Sequence, residues 1–197
     1  MILVTVGTEK FPFNRLMQWV DLLQKEGFIS AEEEVIVQYG SCTVVSDKVK
    51  GYSLLPVNEF QNLLKQARLV IAHCGEGTID VLAKNSVPFI LVPRSDRFNE
   101  HVDDHQIELA EVLAEQGIPI AYCPGDLARF VVAPEAIRVS KVPADSYAYA
   151  SSLLDKRFGS TPVAEEPAIL APSPLGWQNY LFGFWQKLTV KLPILSN

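Results

Sequence analysis

Six short runs of branched and aromatic apolar residues, spread over positions 2–122, set the tightest limit on what this chain can fold into. They are Ile2–Val6, Val35–Gln38, Tyr52–Leu55, Leu69–Ala72, Phe89–Val92 and Ile120–Tyr122. Several are unbroken stretches of Val, Ile and Leu, without the polar alternation of a strand that wets one face. Such runs mark strands covered on both sides, and hence a parallel sheet. Helix-period segments lie between them. Leu16, Trp19, Val20 and Leu23 share a face, with Gly27 placed to end that helix. Asn58 and Gln61 read as a cap pair ahead of Phe60, Leu63 and Leu64. Further helices are expected over Thr78–Lys84, Asp103–Gln116 and Asp126–Val132. Strands alternating with helices predict an α/β fold, a Rossmann-like doubly wound parallel sheet over residues 1–132.

Beyond Val132 the pattern stops. Residues 133–175 are rich in Pro, Ala, Ser and Glu and read as a linker-like segment, with a helix expected near Asp145–Arg157. Residues 176–197 are aromatic and apolar again. Trp177, Leu181, Phe184 and Leu188 fall on one helical face, which suits either a helix folded back on its own sheet or one docked to a partner or membrane boundary.

Composition removes several function classes. A formal net charge of -6 over 197 residues argues against general nucleic-acid binding, which needs clustered Lys and Arg. Cys42, Cys74 and Cys123 form no CxxC pair, so free thiols in a reducing compartment are expected rather than a disulfide framework or zinc site. The first residues lack the basic region of a signal peptide, and no apolar stretch is long enough to span a bilayer, which points to a cytoplasmic protein.

In an open parallel sheet, ligands bind beyond the carboxyl ends of the strands. Three loops there are unusual. Gly7-Thr8-Glu9-Lys10 follows the first strand, with a glycine that permits a tight turn and a hydroxyl beside it. His73-Cys74-Gly75-Glu76-Gly77-Thr78 follows the fourth. Its glycines and Thr open a helix, and the amides at such a start suit a phosphate. It is neither a Walker loop nor a GxGxxG fingerprint. His73 itself reads equally as a buried structural histidine. The third loop, Pro93 to Gln106, holds Arg94, Arg97, His101 and His105. Arg94 reads either as a charge for the ligand or as half of a surface ion pair. His101 and His105 lie four apart around Asp103 and Asp104, but the span is not expected to be helical throughout. No further His or Cys completes a set, so no metal is expected.

Taken in order, Val4–Thr8, Gln38–Gly40, His73–Thr78, Pro88–Arg94 and Glu100–Ala110 resemble the glycosyltransferase family 28 C-terminal domain. Within it they are most similar to the small stand-alone catalytic subunits of two-part UDP-sugar transferases, those of N-glycan precursor synthesis and their bacterial exopolysaccharide counterparts. The resemblance implies one half, the donor-binding half, of a two-domain GT-B fold. It implies a UDP-sugar donor, no cofactor, a lipid-linked sugar acceptor and inversion at the anomeric carbon. It also implies a membrane-anchored acceptor-binding subunit that supplies the general base and holds this chain at the inner face of the membrane. Carried over by position, Gly7, Thr8, His73, Gly75, Glu76, Gly77, Thr78, His105 and Gln106 become donor-binding residues, with Arg94 adding charge and His73 the one catalytic candidate on this chain. The family places a ribose-holding acid seven residues before the Pro of the next strand. Here that position is Val81, and the acid, Asp80, stands one earlier, rotated by about 100° on the helix. A non-catalytic nucleotide-sugar-binding subunit remains an alternative, as does, less readily, an epimerase, whose chemistry needs both halves in one chain.

Overall fold

The computed structural model describes residues 1–85 and 87–133. The linker-like segment from residue 134 and the aromatic tail lie outside the described residues. Five strands form one all-parallel sheet: β1 (Ile2–Thr5), β2 (Val35–Gln38), β3 (Lys50–Tyr52), β4 (Leu69–His73) and β5 (Phe89–Val92), in the order β3-β2-β1-β4-β5. The helices between and after them are α1 (Asn14–Lys25), α2 (Val57–Gln66), α3 (Glu76–Asn85), α4 (His105–Glu115) and α5 (Pro124–Val132).

Period-2 geometry sends alternate side chains of each buried strand to opposite faces. Ile2, Val4, Val37, Leu69, Ile71, Ile90 and Val92 pack with residues of α1 and α5. Leu3, Ile36, Val70, Ala72, Phe89 and Leu91 pack with α2, α3 and α4. This double coverage is why the strands carry unbroken apolar runs. α1 ends just before Gly27 and α4 just before Gly117, both at positive φ, the conformation that lets the chain leave a helix without a Cβ penalty.

Three local expectations are corrected. The third strand is Lys50–Tyr52, not Tyr52–Leu55. The Gln38 side chain accepts the Leu55 amide at 3.2 Å and so ends the ladder, and Pro56 cannot donate to extend it. Ile120–Tyr122 makes a single bridge to Leu91 rather than a strand. The Asp126 carboxylate takes the next two amides, of Tyr122 and Cys123, and starts α5 instead. Asn58 and Gln61 do not cap α2. That helix begins at Val57 with Pro56 as its N-cap and no side-chain cap bond.

The sheet runs β1, β2, β3 in one direction from its middle and β4, β5 in the other. The topological switch therefore falls between β1 and β4, where two loops leave the carboxyl edge on opposite sides and open a crevice. Those are the loops starting at Val6 and at Cys74.

Candidate functional site

At the carboxyl end of β4 the His73 ring is walled by glycines. A Cβ built on Gly75 would lie 2.3 Å from His73 Nε2, and one on Gly7 would lie 2.5 Å from it. Gly7 also has φ +79°, and its amide donates to Thr5 Oγ1 at 3.3 Å. Across β1, a Cβ on Gly40 would meet the Gly7 carbonyl at 2.9 Å. Gly40, Gly7, His73 and Gly75 thus form one close-packed row spanning the ends of β2, β1 and β4. The glycines are there because an imidazole and two turns occupy the space side chains would need.

His73 is only 7% exposed, and its Nδ1 has no hydrogen-bond partner. Burial, then the Arg94 charge, depresses its pKa from 6.5 to about 3. The ring is therefore neutral at physiological pH and far too weak a base to match a general-base role there. Cys74 behind it is equally inert, its thiol pushed up to about 12 by burial and the nearby Glu76 charge.

α3 begins at Glu76. The amides of Thr78 and Ile79 both donate to the Gly75 carbonyl at 3.0 Å, while those of Glu76 and Gly77 belong to the first turn, where a helix offers no acceptor of its own. Gly77 is exposed, with nothing within 4 Å of a Cβ built on it. The space before the helix is open at this residue. The Glu76 side chain points to solvent, so what it offers an anion is its amide. Val81 packs against the core, which fixes the rotation of α3 and leaves Asp80 exposed.

Arg94 is not a surface charge. It is fully buried, stacked 4.8 Å over the Phe13 ring. Its guanidinium donates to the carbonyls of Val6 (2.6 Å), Phe11 (2.7 Å) and Glu100 (2.9 Å). It therefore ties the two ends of the Gly7–Thr8 loop to the loop that leads into α4. Its own amide donates to Gln106 Oε1 at 3.2 Å, which places buried Gln106 against the end of β5. The rest of that loop is equally determined. Glu100 accepts a two-pronged bond from Arg15 (2.9 and 2.7 Å) and the Ser95 amide. Asp104 accepts from the Ser95 hydroxyl and the Asp96 amide, both at 2.9 Å. Asn99 takes φ 54°, which Asn tolerates better than most residues. His105, the first residue of α4, is half-exposed at the same sheet edge, and Thr8 is exposed above Gly7.

Gly7, Thr8, His73, Gly75, Glu76, Gly77 and Thr78 thus gather at the switch point, on the carboxyl ends of β1 and β4, with Gln106 and His105 on the adjacent β5–α4 connection. Gly40, Arg15 and Glu100 support the site; Gly40 and Glu100 stand in the matching stretches with no role given to them, and Arg15 was not singled out from sequence. Arg15 and Glu100 meet across 85 residues, a separation no local pattern encodes.

The comparisons agree with this architecture. No curated protein matches the sequence. Among solved structures, an NMR solution structure of ALG13 is 18% identical with a TM-score of 0.52, covering 80% of this chain and 96% of that one. SnogD, a glycosyltransferase from Streptomyces nogalater, is 19% identical with a TM-score of 0.46, covering 77% of this chain but 43% of its own length. MurG from Acinetobacter baumannii is 17% identical with a TM-score of 0.47, and 49% of its length is covered. The chain thus spans less than half of these two proteins. The ALG13 likeness supports the fold, a Rossmann-like sheet equivalent to a single half of the GT-B architecture. The family model of the glycosyltransferase family 28 C-terminal domain matches residues 1–132, the whole of the described sheet and its helices, and the chain belongs to that family.

Proposed function

We infer that this chain is the donor-binding subunit of an inverting glycosyltransferase. It takes a UDP-sugar and passes the sugar to a lipid-linked acceptor, and it works with a membrane-anchored subunit that binds the acceptor and supplies the base. The observation that carries this reading is the switch-point crevice. The first-turn amides of α3 have no helical acceptor, the space at Gly77 is open, and the buried Arg94 guanidinium is turned to main-chain carbonyls. Amides and a helix terminus fixed in advance stabilise the negative charge that grows on a departing diphosphate, at little reorganisation cost. Neutral His73 and inward-turned Arg94 give the site its shape, leaving the amides, Thr8 and His105 to meet the ligand. In this reading the facing wall of the cleft comes from the separate partner. Among the described residues no helix is long and apolar enough to cross a membrane.

UDP binding measured by calorimetry tests the site. Gly77→Leu starts a side chain from a Cβ with nothing within 4 Å of it, so the variant should keep its thermal stability and lose at least about ten-fold in UDP affinity. His105→Ala should lose about the same, the worth of one hydrogen bond to a charged group. Unchanged affinity in both variants rules the site out. Co-expression with the membrane-anchored subunit, followed by assay of several UDP-sugars on lipid-linked acceptors, should give transfer that neither chain gives alone. Binding without transfer would instead favour a non-catalytic donor-carrying subunit.

A further inference from the structure

Where α4 begins, three side chains bring one ligand atom each to a common point. The donor atoms of His101, Asp103 and His105 all lie within 4.8 Å of one another. His101 Nδ1 is 3.1 Å from Asp103 Oδ1, and His105 Nδ1 meets the same carboxylate oxygen. The two imidazoles stand edge to face, with centroids 4.4 Å apart and planes at 86°. From sequence, a non-helical span between the histidines weighs against a metal. The structure turns that around. The chain bends through residues 101–104, and this bend carries His101 back toward His105, which a helix would have set one turn along.

The trio is held from both sides. His101 is 9% exposed, its ring centroid 6.2 Å from that of Phe11. His105 is fixed as the first residue of α4, and its amide donates to Asp103 Oδ1 at 3.3 Å. Asp103 and His105 are 57% and 47% exposed, so solvent reaches the point where the three converge. Ligand atoms on a tetrahedral zinc, at about 2.0–2.2 Å from the ion, lie roughly 3.3 Å apart. The His101–Asp103 separation is already close to that. Two imidazoles and one carboxylate, with a position left to water, suit first-row ions such as zinc, nickel or copper better than the all-oxygen preferences of magnesium or calcium.

We propose that His101, Asp103 and His105 form a surface binding site for a divalent first-row transition metal, with zinc as its representative ion and water completing the coordination. His105 is shared with the proposed donor site, but the readout, zinc binding to the chain without UDP and its loss in His101 and Asp103 variants, does not depend on the donor-binding reading.

Zinc titration of the untagged full-length chain, by competition with a chromogenic chelator, tests it. The expected result is a single saturable site in the wild type, retained when the exposed thiol is removed by Cys123→Ser. His101→Ala and Asp103→Asn should each weaken zinc binding at least about ten-fold, the lower end of what even an outer-shell change costs a metal site. Asp103→Asn keeps an oxygen for the His105 amide and alters only an exposed side chain, so it reports on ligation even if His101→Ala lowers stability. Wild-type chain that fails to bind micromolar zinc, or both ligand variants binding zinc as the wild type does, would overturn the site.

Discussion

Replacing Arg94 with Met should lower the stability of the domain by about 3–5 kcal/mol, the range seen when one member of a buried charged network is removed. Three main-chain carbonyls, of Val6, Phe11 and Glu100, would lose their donor inside the protein, at about 1–3 kcal/mol for each buried group left unsatisfied. Thermal unfolding followed by circular dichroism should show the midpoint falling by roughly 10–20 °C. Arg94→Lys keeps a charge but not the planar fork that reaches three acceptors at once, so it should fall between Met and the wild type. UDP affinity should drop with Met even well below the melting point, because the Gly7–Thr8 loop loses its tie at both ends. Had Arg94 been half of a surface ion pair, the change would cost no more than about 1 kcal/mol. A midpoint within a few degrees of wild type would contradict the burial described above.

Gly75→Ala should be the second disabling change, and its origin can be isolated. The new methyl would lie 2.3 Å from His73 Nε2, and the ring cannot retreat because Gly7 closes its other side. Overpacking of this kind costs about 1–3 kcal/mol. His73→Ala/Gly75→Ala should be less destabilised than the two single changes sum to, with a coupling of about 0.5–3 kcal/mol, because removing the imidazole makes room for the methyl. Additive effects would mean that Gly75 is glycine for some reason other than the histidine beside it.

These two predictions mark where sequence reading succeeded and where it stopped. Strands β1, β2, β4 and β5 were legible because burial on both faces leaves no alternative to Val, Ile and Leu. β3 was misplaced by two residues at its start and three at its end because it is largely exposed, and its limits are set by the Gln38 side chain rather than by its own apolar residues. The glycine-bearing loops after β1 and β4 were legible as a site, since the topology puts them at the switch point. The part played by each residue was not. His73 read either as a ligand contact or as a buried structural histidine, and the glycines around it as ligand contacts; the structure shows that they fill one another's space. Arg94 read as an exposed charge because its acceptors are carbonyls 83 and 88 residues away, and a carbonyl leaves no mark on the sequence. The bend that gathers His101, Asp103 and His105 was likewise hidden, since helical spacing is the only geometry a four-residue interval suggests by itself.

The central claim is that the carboxyl edge of the sheet, at the β1–β4 switch, grips the diphosphate of the donor. Amide-resolved NMR during a UDP titration addresses it directly. The account predicts that the signals of Gly7, Thr8, Glu76, Gly77 and Thr78 shift together and saturate with one dissociation constant, while those of Glu33 and Arg68, ion-paired just before β2 and β4 at the opposite edge, stay in place. Shifts confined to that opposite edge, or none at the α3 amides at saturating UDP, would contradict it.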